Sequence, residues 1–238
     1  MEPVNLYAGY DPAEAAGYAT FCHSVFTRSS IPVHITALAK NTFPAWRRTN
    51  TVDKPGSTEF SFSRFIVPFL NGYQGFALFM DGCDMLCLDD IKKLWDMRDG
   101  NYAVQVVKHA PYHATPDKMW GNRNEYYPRK NWSSVILFNC AHRSNRILTS
   151  EYVASATGEE LHRFKWLRDE EIGEIPGRWN YLAGEQEHVS NPAVVHYTLG
   201  LPPIWSHGDD LDDLWYEERA RMDNILPKIT ERRLVGAR

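Results

Sequence analysis

Two aspartates three positions apart close an all-apolar run in FALFMDGCDML, residues 76–86. Five apolar residues ending in an acid suit a buried central strand whose next residues leave the sheet. Asp81 and Asp84 then stand at a sheet edge, with Gly82 between them to let the backbone turn sharply and a ribose approach closely. Carboxylates are hard oxygen ligands. A divalent ion held by them against a diphosphate acts as Lewis acid and template for the charge left on a departing phosphate oxygen. Mn²⁺ also accepts an imidazole, so a distant histidine would complete the set. The plainer alternative is that Asp81 caps a loop and Asp84 is a surface acid.

The elements that must position these residues alternate along the chain. Strands are predicted at 4–10, 31–38, 76–80, 102–107, 133–139 and 193–198. A helix over 13–26 opens with Asp11 as N-cap and Pro12 at the first helical position. A second helix, 57–70, carries Phe60, Phe65, Ile66 and Phe69 on its apolar side. Asp89 or Asp90 caps a short helix over 91–97. Residues 144–167 read as helical in two pieces split near Thr157-Gly158, and 211–226 as a charged amphipathic helix. Segments 40–58 and 108–130 read as long loops. This alternation predicts an α/β fold with a mostly parallel central sheet flanked by helices. Ligands of such sheets sit outside the carboxyl ends of the strands. Gly9-Tyr10-Asp11, Asp81 to Asp84, and His196 all fall just past strand ends and are predicted to converge on one rim.

Bulk properties agree with an enlarged single domain over 1–238, with 207–238 as a C-terminal helical extension. Hydrophobic residues make up 43% of the 238, which excludes a disordered chain. The net charge of −4 offers no basic excess for a nucleic acid. Cys22, Cys83, Cys87 and Cys140 form no CxxC pair and are expected to be reduced thiols. No apolar run approaches the ~20 residues of a membrane span, and MEPVNLYAGYDP is too polar for a signal peptide. A cytoplasmic protein is expected, one still able to visit lipid acceptors at a membrane face.

Seven segments together carry a resemblance: LYAGYDPAEAAGYATFCHS at 6–24, STEFSFSRFIVP at 57–68, ALFMDGCDML at 77–86, VVKHAPY at 106–112, YPRKNWSSVILFNC at 127–140, DEEIGEIPGRWN at 169–180 and VVHYTLG at 194–200. In this order the chain resembles the glycosyltransferase family 8 type of GT-A enzyme, and more closely a bacterial branch of uncharacterised glycosyltransferases. The resemblance implies a Rossmann-like GT-A domain and a metal-dependent, retaining hexosyltransferase. It implies a nucleoside diphosphate-sugar donor, UDP-linked in the family's pattern, a hydroxyl acceptor on a glycan, lipid-linked or small molecule, and Mn²⁺ (or Mg²⁺) as cofactor.

Roles follow position by position. Ala8, Gly9, Tyr10 and Asp11 match the base and ribose contact, and Arg64 an arginine facing the nucleotide or sugar. Asp81 and Asp84 match the DxD pair, His196 the histidine that completes the metal site, and Gly200 the glycine after it. Asn139 matches an asparagine near the donor sugar. Asp169, Glu170 and Glu171 match an acidic cluster near the reacting carbon, with Asp169 and Glu170 the best candidates for catalytic carboxylates. Pro176, Trp179 and Asn180 match a Pro-x-x-Trp-Asn segment. Two departures stand out. Two residues rather than one separate the aspartates, which lets them bind unequally with Asp84 as main ligand. HYTLGLPPIW also lacks the family's lysine, so Lys108, Lys130 or Arg129 would have to meet the diphosphate.

His109, His113 and His142 are weighed as acceptor contacts or bases against loop and surface roles. Trp120, Tyr126, Tyr127 and Trp132 could stack on an acceptor sugar or pack the core. Asp209, Asp210, Asp212 and Asp213 read as the acidic start of the last helix rather than a metal cluster. The basic residues Arg219, Arg221, Arg232, Arg233 and Arg238 read as a solvated face, with anionic lipid as the alternative. A nucleotidyltransferase would need a Gly-rich phosphate loop after the first strand, and none is present. A scaffolding relative without turnover remains as the rival outside enzymes.

Overall fold

A computed structural model of the chain describes residues 2–39, 46–53, 58, 60–111, 126–186 and 189–223. Its strands are β1 (Val4–Gly9), β2 (Val33–Leu38), β3 (Phe76–Met80), β4 (Met85–Cys87), β5 (Val104–Val106), β6 (Val135–Asn139), β7 (Ile172–Glu174), β8 (Tyr181–Leu182) and β9 (Val194–His196). Its α-helices are α1 (Ala15–Arg28), α2 (Val67–Leu70), α3 (Ile91–Trp95), α4 (Ser150–Ser155), α5 (Gly158–His162) and α6 (Asp209–Asp223).

Six strands form the central sheet in the order β2-β1-β3-β6-β5-β7. Only β6 in this sheet runs against the others. The predicted mostly parallel α/β sheet is therefore present. β3 is buried from Ala77 to Met80, as expected of a central strand covered on both faces. One core cluster includes Leu6, Leu78, Val135 and Trp179, and the other Phe60, Phe79, Ile136 and Phe164.

Three departures bear on the site. The last predicted strand is not in the central sheet. β9 joins a second sheet, β4-β9-β8, in which Met85 pairs with His196 antiparallel and Tyr181 with Val195 parallel. Three-residue β4 and two-residue β8 are too short for a periodic signal, which is why sequence reading passed them over. The predicted 57–70 helix is a 3-10 turn, Ser63–Ile66, followed by the single-turn α2. Pro68 sits in the first turn of α2, where its missing N–H is tolerated, so regular helix starts only there. Phe60, Phe65 and Ile66 are buried as expected, but Phe69 is 43% exposed. Ser57 lies outside the described residues.

Caps explain the other boundaries. Asp11 accepts from Ala13 N at 3.0 Å and opens a 3-10 turn, Pro12–Glu14, ahead of α1. The predicted split near Thr157-Gly158 is a capping box. Thr157 accepts from Glu160 N, and Glu160 reaches back to Thr157 N at 2.7 Å. Helix α6 starts two residues before its predicted start. Its Trp215 is buried, and Glu218 bonds both His23 and Arg28 of α1 at 2.6 Å. Residues 224–238, with the predicted basic tail, lie outside the described residues. No described helix is long and apolar enough to cross a membrane.

Candidate metal centre

β1 and β3 are parallel neighbours, so their carboxyl ends, Gly9 and Met80, share one edge. Four residues, Asp81 to Asp84, join that edge to β4 of the small sheet. Asp81 N donates to Ser134 O at 3.0 Å, which ties the start of the turn to the strand beside it. Cys83 N donates to Asp81 O and Met85 N to Gly82 O, so the chain folds back on itself. Gly82 makes this possible with a φ of +77°. A Cβ there would stand 3.0 Å from Gly9 O and 3.2 Å from Ala8 Cβ. From the other side α1 presses on the turn through Gly17, where a Cβ would meet Cys83 O at 2.0 Å. Gly82→Ala is expected to cost ~1–2 kcal/mol from the left-handed backbone alone, read as a lower denaturant midpoint. An unchanged midpoint would contradict this account of the turn.

The extra residue in the turn therefore does not part the two acids. Asp84 precedes β4, and Tyr197 N donates to Asp84 O at 2.8 Å, so the β4–β9 register sets Asp84 against His196. His196 Nε2 lies 3.2 Å from Asp84 Oδ2 and 3.7 Å from Asp81 Oδ2. One ligand atom from each of Asp81, Asp84 and His196 falls within 4.8 Å of the others. Adjacent ligands on an ion with ~2.1 Å bonds are about 3 Å apart, so these spacings fit a divalent cation. Asp81 Oδ1 is taken by the Arg64 guanidinium 2.6 Å away, which leaves Oδ2 toward His196. One further observation fits. His196 Nδ1 faces Asn180 Oδ1 at 2.9 Å, the outer contact that orients a ligating imidazole.

Arg64 is the near cation of this site. It is buried, donates through Nε to Ser61 O at 3.1 Å and through Nη1 to Ser133 O at 2.9 Å. Its guanidinium lies over the rings of Phe79 and Phe60, 5.1 and 5.5 Å from their centroids.

With this geometry in hand, known proteins become comparable. Protein CDI of Arabidopsis thaliana is 44% identical over 227 residues, covering 91% of this chain and 86% of its own. The chain belongs to the CDI family. No family model matches the sequence. Two solved structures place the CDI-family fold. The bifunctional glycosyltransferase WbbM superposes with a TM-score of 0.58 at 16% identity over 92% of this chain. The galactosyltransferase LgtC, in complex with donor and acceptor sugar analogs, does so with 0.53 at 13% identity over 92% of this chain and 96% of its own. The CDI-family chain spans about half the length of WbbM, at 50%. The fold is thus the GT-A fold of glycosyltransferases, as the sequence resemblance implied.

The CDI-family chain brings together only part of the predicted site. Ala8 and Gly9 end β1 beside the Gly82 turn. Asp11 N donates to Cys83 Sγ at 3.2 Å, and the Tyr10 and Tyr18 rings meet edge-on at 5.1 Å. Lys108 follows β5 on the same rim and is half-buried, and Lys130 is buried in the segment that leads to β6. Gly200 closes a turn by donating to Tyr197 O at 2.9 Å, with a φ of +135°.

The three residues predicted as catalytic are elsewhere. Because β6 is antiparallel, its last residue, Asn139, pairs with Phe76 at the start of β3, a strand length of roughly 13 Å from the metal edge. Asn139 there donates to Gly100 O at 3.2 Å. Asp169 and Glu170 precede the amino end of β7, three strand intervals from β3 at roughly 4.8 Å each. Both are exposed and paired, Asp169 with Arg129 and Glu170 with Arg168. Glu171 is a structural anchor: it accepts from Ser144 Oγ and Arg168 N, which hold its pKa down at about 2. A linear motif carries no strand direction, and the reversal of β6 was not visible in it. Sequence reading also missed Gln186, which faces His109 at 2.8 Å, since nothing marks a lone glutamine in a loop. His113 and Trp120 fall outside the described residues.

Electrostatics at the centre of this CDI-family chain run against an empty pair of charges. Burial pushes the Asp81 carboxyl up from 3.8 to about 6, with Asp84 adding to the rise and Arg64 and His196 opposing it. The metal-free fold thus takes a proton on Asp81 more readily than the unfolded chain does. That preference stabilises it fully below about pH 3.8 and fades as pH rises through about 6. A cation asks for the opposite form. Mn²⁺ affinity is therefore expected to fall roughly tenfold per unit as pH drops below about 6, measured by titration of free Mn²⁺. A flat profile from pH 7 to 5 would remove Asp81 from the ligand set. His109 is buried, and burial brings its pKa down to about 3, so it is neutral at pH 7.

Proposed function

We propose that this chain is a metal-dependent glycosyltransferase that moves a hexose from a UDP-linked donor to a hydroxyl acceptor with retention. The observation that carries the reading is the Asp81, Asp84 and His196 set, all within ligand range at the carboxyl edge of a GT-A sheet. The oxygen, oxygen and imidazole donors favour Mn²⁺ over Mg²⁺. When bound, the ion supplies Lewis-acid stabilisation of the charge on the leaving diphosphate.

The chain's own residues would share the remaining work. Gly9, Tyr10 and Asp11 line the edge where a base and ribose would lie, with Gly82 leaving its backbone open. Lys108 is the cation on this rim for phosphate oxygens, whereas Lys130 is buried and already engaged, and Arg64 neutralises Asp81 from behind. Gly200 lets the chain turn directly after the metal histidine. Tyr127 stands close enough for Arg64 and Asp81 to influence its hydroxyl, whose pKa burial raises, and it fits an acceptor or sugar contact. Asn139, Asp169 and Glu170 have no part in this reading, which assigns no nucleophilic carboxylate among the described residues. A lipid-linked, glycan or small-molecule hydroxyl serves equally as acceptor chemistry.

A thermal-shift screen tests the reading. UDP with Mn²⁺ at 100 times its Kd is expected to add ~2.7 kcal/mol, a rise of roughly 5–10 °C in Tm. An equal rise in EDTA would remove the metal from the account, and no rise with any nucleotide would remove the donor.

A further inference from the structure

Resting on the proposed metal role of Asp81, Asp84 and His196, we infer that Asn131 is a positioning residue, whose left-handed backbone shapes a turn that holds three supports of the metal centre at once. Backbone strain marks the place. Arg129 and Asn131 are two of the four described non-glycine residues with positive φ, at +63° and +62°, and they stand only two positions apart. Such conformations persist where the surroundings over-determine them, and they gather at functional sites. Here the surroundings are explicit. Arg129 is pinned on one side by Nη1 donating to Arg163 O at 2.7 Å and by its ion pair with Asp169. On the other side Trp132 Nε1 donates to His109 O at 3.2 Å, which ties the turn to the residues after β5.

Three carbonyls of this turn are committed to the site. Asn131 opens the 3-10 turn Trp132–Ser134 that leads into β6, and Ser134 N closes it on Asn131 O at 3.3 Å. Asn131 O accepts a second bond, from Asn180 Nδ2 at 3.1 Å, the amide whose oxygen faces His196. Ser133 O accepts from Arg64 Nη1 at 2.9 Å, on the guanidinium that pairs with Asp81. Ser134 O accepts from Asp81 N at 3.0 Å and adds a last rung to the β3–β6 ladder. Four residues thus hold Asp81, which leaves the large sheet, together with Asn180, which leads into β8 of the small one. The φ and ψ of one residue set the course of the chain after it. A residue 131 outside the left-handed region would re-aim all three carbonyls and loosen the outer contacts that keep metal ligands in place.

The test separates local geometry from general stability. Hydrogen exchange in the metal-free protein compares the amide of Asp81 with that of Phe79, which pairs with Ile136 inside the same ladder. Titration with Mn²⁺ alone reports affinity. Asn131→Gly keeps a residue at ease with positive φ and is expected to match wild type in both readouts. Asn131→Val, whose branched side chain resists that conformation, is expected to speed exchange at Asp81 about tenfold with Phe79 unchanged, and to weaken Mn²⁺ binding about 10–100-fold. Asn131→Ala should move both readouts the same way by less, and it stands in if Asn131→Val fails to fold. Equal acceleration at Phe79, wild-type affinity in the valine and alanine variants, or lost affinity in Asn131→Gly would each overturn the assignment. The expected exchange pattern in a protein whose wild type binds no Mn²⁺ would uphold the hold of the turn on Asp81 and sink the metal reading instead.

Discussion

In the Asp84→Ala protein, Mn²⁺ is expected to add nothing to the stabilisation by UDP, and sugar transfer is expected to fall about a thousandfold. The size follows from losing a ligand to an ion worth several kcal/mol in the transition state, each ~1.4 kcal/mol being tenfold. Asp84 is the sharper choice of the two acids. Asp81 shares its charge with Arg64 at 2.6 Å, whereas Asp84 Oδ2 is the carboxylate oxygen nearer to His196, at 3.2 Å against 3.7 Å. The fold should survive, because the bond from Tyr197 N uses the backbone of residue 84 and not its side chain. Activity measured across Mn²⁺ concentrations, beside UDP thermal shifts, checks both halves. A variant with wild-type metal dependence would put the ion elsewhere.

The second large effect concerns stability. Arg64→Met is expected to cost ~3–5 kcal/mol, because it leaves Asp81 buried without its cation. The pair is nearly dry, with side chains 7% and 10% exposed. Deprived of Arg64, which holds the Asp81 pKa down, the carboxyl rises further and takes up a proton more readily, so metal binding at neutral pH weakens too. Asp81→Leu alone strands the guanidinium in the same way. Combining the two should cost less than the sum of the single changes, since an apolar pair leaves no buried charge. Urea denaturation of the four proteins measures the coupling, and strict additivity would mean the pair is solvated in solution.

Much of this was legible in the primary structure, for reasons tied to particular residues. FALFM followed by an acid marks a central strand and its exit because burial on both faces demands an unbroken apolar run. Thr157 and Glu160 announce a helix start because each satisfies a backbone donor of the other's residue. Asp81 and Asp84 stand out because hard cations restrict ligand types, and His196 because the resemblance puts a histidine there; the three lie within 4.8 Å of one another. What failed was direction and partnership. Asn139 was assigned to the site because the motif around it follows the family, yet the strand it ends runs backwards. Asp169 and Glu170 match the family's acidic cluster, but both side chains are exposed and paired with arginines. His109 was weighed as a base, and its tie to Asn180 depends on contacts 71 positions apart in sequence that no local pattern encodes.

The ligands come from two different plates. Asp81 leaves the large sheet, while Asp84 and His196 are carried by the small one, with a four-residue joint between. A cation caught there would work as a rivet. Asp81, Asp84 and His196 would then pin the large sheet to the small one through a single bound ion; without it, the seam rests on the backbone bonds of the turn and on the close approach of α1 at Gly17.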